Sequence, residues 1–249
     1  MKNKLPILIA LFLVGCQYNN EPKSDKSGLI SEEVIVSSPT QEFDFDPTYR
    51  DTTNFIVDSI NIGAKTKHKI HLVNVRTYSG VFVEFDFFKK LDTNWQHTQS
   101  FTIEKDGISN LEAEFKDFNN DGYGDLIFRN GNAARGANVL RSLLIFDEEE
   151  QQLLHIKNSE NYPNLKYNKR LDCLDTWLIY GGSTTLFLKI DGDSLKPFAG
   201  VSLLDTRRVY TIDKYGNEHI IEEEILTDKA NLYTRYSNYS PLQISEVWE

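Results

Sequence analysis

The chain has 249 residues, of which 40% are hydrophobic and 12% aromatic, and its formal net charge is −10. This hydrophobic content suffices for one sizeable core and excludes global disorder. The acidic balance disfavours nucleic acid and anionic lipid as direct partners. It is compatible with a cationic partner, although solubility is the simpler explanation.

The N-terminal residues combine a basic start, a short apolar run and a cysteine. Lys2 and Lys4 precede an apolar run over residues 5–14, which is too short to span a bilayer because about 20 apolar residues are needed. The run ends in Leu13-Val-Gly-Cys16, which resembles the lipobox of bacterial lipoproteins. We therefore interpret residues 1–15 as a signal peptide and Cys16 as a lipidated (palmitate-bearing) N-terminus. The alternative is a general secretory signal with an incidental cysteine.

Lipidation at Cys16 predicts a cell-envelope protein that is anchored to a membrane by its lipid. Residue 17 is Gln and not the Asp that retains such lipoproteins at the inner membrane, so the resemblance favours the outer membrane, on its periplasmic or its surface face. Cys173 would then be the only free thiol, which precludes an intramolecular disulfide. No histidine lies close to it in sequence, so we expect Cys173 to be a small inward-facing core residue and not a nucleophile.

Residues 16–50 are polar and contain Pro, Ser and Gly, which predicts a flexible tether. Within it, Leu29–Val36 has the composition of a short strand, so the start of the folded part is uncertain by sequence. We assign residues 51–249 to a single β domain.

From Thr52 onward the pattern is that of short strands separated by Gly, Asn and Asp turns, and no segment has a sustained helical period. This predicts an all-β fold: an antiparallel sandwich, a barrel or propeller-like sheets. The predicted strands include 69–76, 81–88, 97–104, 111–115, 126–129, 139–146, 153–157, 177–180, 184–190, 208–212 and 219–223.

A nine-residue loop, Asp-Phe-Asn-Asn-Asp-Gly-Tyr-Gly-Asp over residues 117–125, has the spacing of a calcium site. Oxygen ligands are predicted at positions one, three, five and nine, with a backbone carbonyl at position seven and glycine at position six. Three carboxylates this close repel one another unless a cation neutralises them. The proposed ligands are Asp117, Asn119, Asp121, Tyr123 through its carbonyl, and Asp125.

The flanks of this loop distinguish it from a helical EF-hand. Position twelve is Phe128 and not Glu, and Leu126-Ile-Phe reads as a strand. The loop thus resembles the calcium turn between β-strands in FG-GAP and related β-proteins, and we expect a structural calcium ion. The alternative is a metal-free hairpin turn, since Asp, Asn and Gly are also common turn residues.

The order of motifs around the loop resembles a family of bacterial periplasmic lipoproteins whose β-domain carries one calcium turn. The motifs are Leu126-Ile-Phe, a polar loop over 131–138, a strand ending Leu144-Ile-Phe-Asp147, Tyr180-Gly-Gly-Ser-Thr-Thr185 and Ile190-Asp-Gly-Asp-Ser-Leu195. The resemblance covers roughly residues 111–223. It departs at Val139-Leu-Arg-Ser-Leu-Leu, where the family usually carries tyrosines.

This resemblance implies a fold similar to that of periplasmic inhibitors of invertebrate-type lysozyme, and inhibition of a peptidoglycan-cleaving glycoside hydrolase, as in immunity proteins. An inhibitor would enter a cleft lined by catalytic carboxylates. The candidate partner-binding residues are Arg135, which can pair with a carboxylate, and the loop Tyr180, Gly181, Gly182, Ser183 and Thr184. For both segments the alternative is a plain connecting loop.

Two other functions remain open. A glycan-binding or envelope-assembly lipoprotein is the alternative, with strand aromatics or Tyr233–Tyr239 as stacking surfaces. An enzyme is disfavoured because no acid-base or nucleophile constellation is evident, and Ser183 lies in no nucleophile elbow. The Asp191-Gly-Asp193 pair lacks further ligands and is expected to be a hairpin turn. His68 and His71 are expected to face opposite sides of one strand.

Overall fold

A computed structural model describes residues 46, 48–227 and 232–247 of the chain, which belong to one compact unit beginning at Asp46. The proposed signal peptide, Cys16 and nearly all of the tether lie outside these residues. None of the described segments is a helix long and apolar enough to cross a membrane.

The described residues are almost entirely β-strand, as predicted. Two single turns of 3-10 helix, Ala134–Gly136 and Ser159–Asn161, are the helical segments found in them. The strands are β1 Arg50–Asp58, β2 His68–Thr77, β3 Gly80–Leu91, β4 Asn94–Lys105, β5 Ala113–Lys116, β6 Asp125–Ala133, β7 Asn138–Asp147, β8 Gln152–Ile156, β9 Lys166–Asn168, β10 Cys173–Ile179, β11 Ser183–Asp191, β12 Ser194–Leu203, β13 Thr206–Ile212, β14 Glu218–Ile225, β15 Thr234–Tyr239 and β16 Leu242–Val247.

The strands form four antiparallel sheets, each built from strands that follow one another in sequence. The first sheet has the order β1-β2-β3-β4, the second β5-β6-β7-β8, the third β14-β13-β12-β11-β10-β9, and the fourth is the β15-β16 hairpin. None of these sheets closes on itself, which excludes the barrel among the predicted architectures.

Three hydrophobic clusters lie between successive sheets, so the sheets are layers stacked in chain order. The first cluster joins side chains of the first and second sheets, among them Phe87 and Phe128. The second joins the second and third sheets, for example Ile127 and Leu174. The third joins the third sheet to the β15-β16 hairpin and contains Tyr236.

Burial on both faces explains the unbroken apolar runs of the second sheet. Successive side chains of a strand point to opposite faces, and Leu126 and Phe128 face the first sheet while Ile127 faces the third. Leu143 to Phe146 alternate between the two clusters in the same way. Runs of this kind are typical of strands covered on both sides.

Several local predictions are confirmed. His68 is buried in β2 whereas His71 lies on the other face and is half-buried. Cys173 is a buried residue of β10, and burial raises the pKa of its thiol to about 12. Residues 191–193 connect β11 to β12 as a hairpin turn. The tyrosines near the C-terminus mostly pack: Tyr236 is buried and Tyr239 contacts the Phe187 ring.

Candidate functional site

The proposed calcium loop connects β5 to β6 and is closed by hydrogen bonds to its own backbone. The Asp117 carboxylate accepts hydrogen bonds from the backbone N–H groups of Asp121 (3.2 Å) and Gly122 (2.9 Å). The Asp121 carboxylate accepts one from the N–H of Tyr123 at 2.8 Å. Gly122 has φ +91, a conformation that glycine adopts readily. The loop therefore has a defined turn in which acidic side chains cap backbone donors.

Asp125, at position nine, is buried beneath the loop and ties three segments together. Its carboxylate accepts hydrogen bonds from the N–H groups of Phe118 (2.7 Å) and Phe146 (2.8 Å). Burial raises the pKa of the Asp125 carboxyl to about 7, and the negative charges of Asp121 and Asp117 act in the same direction. Asp125 thus links the loop to β7 whether or not a cation is bound.

The residues of this loop fit a calcium ion in their donor chemistry. The Asn119 side-chain oxygen, at position three, is buried without a hydrogen-bond partner, which is costly for an amide oxygen unless an ion or water satisfies it. Asp117 and Asp121 each keep lone pairs beyond those that the backbone uses. No group of three His, Cys, Asp or Glu side chains is gathered for a metal anywhere in the described part; calcium ligation here would also draw on amide and carbonyl oxygens.

The loop is held against the connection between β1 and β2. Gly124 and Gly63 exchange backbone hydrogen bonds of 2.7 and 3.0 Å. A Cβ atom on Gly124 would lie 1.5 Å from the carbonyl oxygen of Asn61, so only glycine fits. Tyr123 donates its hydroxyl hydrogen bond to Glu148 in the turn after β7. The loop therefore meets two other connections at this end of the stack.

The candidate partner-binding residues lie at the opposite end. β6 begins at Asp125 and ends at Ala133, so about 27 Å of strand separates the calcium loop from the Arg135 turn. The Asn138 side chain donates a hydrogen bond to the Ile179 carbonyl (2.9 Å) and accepts one from the Ile179 N–H (2.9 Å). This pair brings the β6–β7 turn with Arg135 to the same edge as the β10–β11 turn with Tyr180.

The candidates at this edge differ in exposure. Arg135, Tyr180 and Gly181 are exposed, and Thr184 is half-buried with its hydroxyl 2.6 Å from the Tyr180 hydroxyl. Ser183 is fully buried and donates its hydroxyl hydrogen bond to the Leu232 carbonyl at 2.8 Å. Gly182 is also buried. The surface chemistry of the edge is therefore that of Arg135, Tyr180 and Gly181, while Ser183 attaches the segment before β15.

Two further exposed residues lie near this turn: Leu204, which the sequence analysis did not single out, and Tyr233, which it named only as part of a possible stacking surface. Leu204, in the β12–β13 turn, is 48% exposed and lies beside Gly181, with its Cδ1 atom 3.9 Å from the position of a Cβ on that glycine. The Tyr233 hydroxyl lies 3.5 Å from the Tyr180 carbonyl oxygen. The sequence signal that could have identified Leu204 is the presence of an apolar residue in a two-residue turn. We call Arg135, Tyr180, Gly181, Leu204 and Tyr233 the turn cluster.

Comparison with known proteins identifies no family. No family model matches the chain, and no curated protein matches it. A solved structure described as that of a Xanthomonas type IV secretion system related protein is similar with a TM-score of 0.42 and 10% identity. That likeness covers 70% of this chain and 99% of the other. A likeness of this degree carries no argument about function.

Proposed function

We propose that this protein is a lipid-anchored, calcium-stabilised envelope protein, not an enzyme, that binds a protein partner through the turn cluster. The partner class we propose is a peptidoglycan-cleaving glycoside hydrolase, whose activity the protein would inhibit. The observation that carries the proposal is that the paired hydrogen bonds of Asn138 and Ile179 bring the exposed Arg135 and Tyr180 to one edge, where the exposed Leu204 lies beside Gly181.

The composition of the turn cluster supports a protein partner. Arginine and tyrosine are enriched among residues that dominate binding energy at protein interfaces. Tyr180 and Leu204 are each 48% exposed and Tyr233 is 36% exposed, so they offer apolar surface at the edge whose β6–β7 turn carries Arg135. Each turn is fixed to a sheet at both ends, and such rigidity lowers the entropy lost on binding.

A glycoside hydrolase suits this cluster because its cleft contains a pair of carboxylates. The Arg135 guanidinium can make a two-pronged ion pair with one carboxylate, and the Tyr180 hydroxyl can donate a hydrogen bond to another. Calcium at the far end of β6 would stabilise the β5–β6 turn and would not contact the partner.

Inhibition assays with variants test the proposal directly. A soluble chain that starts at residue 17, without the proposed lipid, is mixed with hen-type, goose-type and invertebrate-type lysozymes and with secreted bacterial peptidoglycan hydrolases, and clearing of cell-wall suspensions is followed. We expect inhibition of at least one enzyme, and an inhibition constant at least about tenfold weaker for Tyr180→Ala and Arg135→Ala, since hot-spot truncations cost about 2 kcal/mol or more and about 1.4 kcal/mol is tenfold.

Lys214→Ala provides the matched control, because Lys214 is in the β13–β14 turn at the other end of the third sheet. It should inhibit as the unmodified chain does. If no hydrolase is inhibited, or if Tyr180→Ala and Arg135→Ala inhibit as well as Lys214→Ala, the proposed function is wrong.

A further inference from the structure

The outer face of the first sheet carries a row of aromatic and imidazole rings. Phe87 points into the core, so its neighbour Phe88 points outward. Ring centroids lie 5.8 Å apart for Phe55 and His71, 4.8 Å for His71 and Phe88, and 5.4 Å for Phe88 and His97. The row crosses all four strands. The hydrophobic cluster of this sheet lies on its other face, and no described element forms a layer over the rings.

Four lysines lie at one end of this face in a protein whose net charge is −10. The backbone N–H of Lys90 donates to the Lys67 carbonyl at 2.8 Å, which brings the β1–β2 connection beside the end of β3. None of the four forms an ion pair with a described residue, whereas other surface lysines such as Lys157 and Lys196 do. Lys69 and Lys90 are on the strands and Lys65 and Lys67 in the connection, while Lys89 pairs with the buried His68 and faces the other side.

The rings fix the position of part of this positive charge. The Lys69 ammonium lies 4.4 Å from the centroid of the Phe88 ring and 5.1 Å from that of Trp95. The Lys90 ammonium lies 5.7 Å from the Trp95 ring. Cation–π attraction of this kind holds an ammonium group in place. The ammonium groups are therefore already positioned when an anion binds. An external cation would be repelled.

Hydrogen-bonding groups sit next to the rings. Ser100 donates its hydroxyl hydrogen bond to the Asp86 carboxylate at 2.6 Å, and the His97 Nε2 atom lies 3.1 Å from that carboxylate. All three side chains are exposed. A carboxylate, an imidazole and a hydroxyl offer donors and acceptors of the kind that bind sugar hydroxyl groups.

We propose that this face, which we call the lysine–aromatic face, binds a saccharide chain that carries carboxylate groups. Sugar rings expose polarised C–H groups, which suit the negative faces of aromatic rings. Sugar hydroxyls match Asp86, His97 and Ser100, and the sugar carboxylates match the unpaired lysines. DNA fits less well because its phosphodiester backbone carries no hydroxyl groups to match Asp86, His97 and Ser100. A lipid surface fits less well because the ammonium groups of Lys69 and Lys90 interrupt the apolar surface of the Phe88 and Trp95 rings.

The site lies on a different sheet from the turn cluster, so it and the proposed hydrolase inhibition can fail separately. The test is affinity electrophoresis of a soluble chain that starts at residue 17, without the proposed lipid, through gels that contain hyaluronan or polygalacturonate, with neutral dextran as the blank. We expect retardation by at least one acidic polymer and none by dextran. Trp95→Ala and Lys69→Gln should each weaken retention at least about tenfold.

Lys214→Gln is the matched control, since Lys214 also lies over an aromatic ring, that of Tyr215 at 4.9 Å, but outside the face. Its retention should be unchanged, and thermal melting checks that all variants are folded. Absence of retention by both acidic polymers, or equal retention of the three variants, would overturn the proposal. So would preferential binding of phosphatidylglycerol vesicles or oligothymidylate that the Lys69→Gln variant loses.

Discussion

Residues of the β5–β6 turn have two roles that the sequence motif alone does not distinguish. One is to stabilise the turn through backbone hydrogen bonds, and the other is to offer oxygen ligands to a cation. Asp125 is buried and holds two backbone donors, so its structural contribution does not require a cation. Asp121 is exposed, and its carboxylate accepts hydrogen bonds from the Tyr123 N–H and from the Asn119 side-chain amide. Asn119 has the buried oxygen without a partner. Calcium, if bound, would therefore act mainly through Asp117, Asn119 and Asp121.

Replacing Asp121 by Ala tests calcium at this turn. A ligand at about 100 times its Kd stabilises a native protein by about 2.7 kcal/mol, which for a domain of this size raises the Tm by roughly 5 to 10 °C. Asp121→Ala should remove this rise while Tm in chelator changes little. Differential scanning calorimetry with calcium and with EGTA measures both. Asp191→Ala, in the β11–β12 turn, is the control, and a full calcium response in Asp121→Ala would refute the assignment.

Gly124 shows that the turn depends on a close backbone approach. Gly124→Ala places a methyl group against the Asn61 carbonyl and must separate the Gly63–Gly124 bridge. We expect a loss of about 2 to 4 kcal/mol in the free energy of unfolding, as for other strained or overpacked sites. Gly107→Ala, whose new Cβ would meet only Val81 at 3.5 Å, should cost well under that. Equal urea midpoints for the two variants would contradict the close approach.

At the scale of elements, the last hairpin is attached to the third sheet by two ion pairs of different burial. Arg235 of β15 donates through Nε to the Asp175 carboxylate of β10 at 2.7 Å, and both side chains are buried. Burial raises the pKa of Asp175 although Arg235 opposes the shift. Lys166 and Glu246 form the second pair at 2.9 Å, and both are exposed.

Arg235→Met should destabilise the protein by about 3 to 5 kcal/mol, because it leaves Asp175 buried without its cation. Lys166→Met breaks the exposed pair between the same two sheets and should cost less than about 1 kcal/mol. Urea denaturation followed by tyrosine and tryptophan fluorescence compares the two. Similar losses for both variants would mean that the buried pair does not secure the hairpin.

A comparison of the predicted and observed strands shows which elements local sequence patterns identify. The predicted calcium loop and its flanking strands are defined by local patterns, and each predicted strand overlaps a strand of the structure. β12 was not predicted because it contains Pro197 and Gly200, which usually argue against a central strand. The structure places Pro197 beside a bulge, and a Cβ on Gly200 would lie 2.6 Å from the Tyr210 ring.

Contacts between residues that are far apart in sequence could not be predicted from sequence patterns. The common edge of the Arg135 and Tyr180 turns depends on Asn138 and Ile179, which are 41 residues apart. The burial of Ser183 depends on the Leu232 carbonyl. Neither contact has a local signature, so the order and stacking of the sheets had to come from the structure.

For the whole molecule, the proposed lipid anchor at Cys16 lies outside the described residues. Metabolic labelling with palmitate should mark the unmodified chain and the Cys173→Ala variant, because Cys173 is buried. Cys16→Ser should incorporate no label if, as we propose, the lipid is attached to that cysteine. Label that persists in Cys16→Ser would contradict the lipoprotein assignment.

The stacking of sheets in chain order bears on how the protein folds. Each sheet is a meander of consecutive strands, and each packs mainly on the sheets before and after it. Contacts between nearby segments close short loops and favour rapid folding. A chain that emerges N-terminus first from a narrow channel can therefore pair its first two sheets before the third has appeared. Assembly would then proceed vectorially, layer upon layer, with the C-terminal hairpin closing the last core.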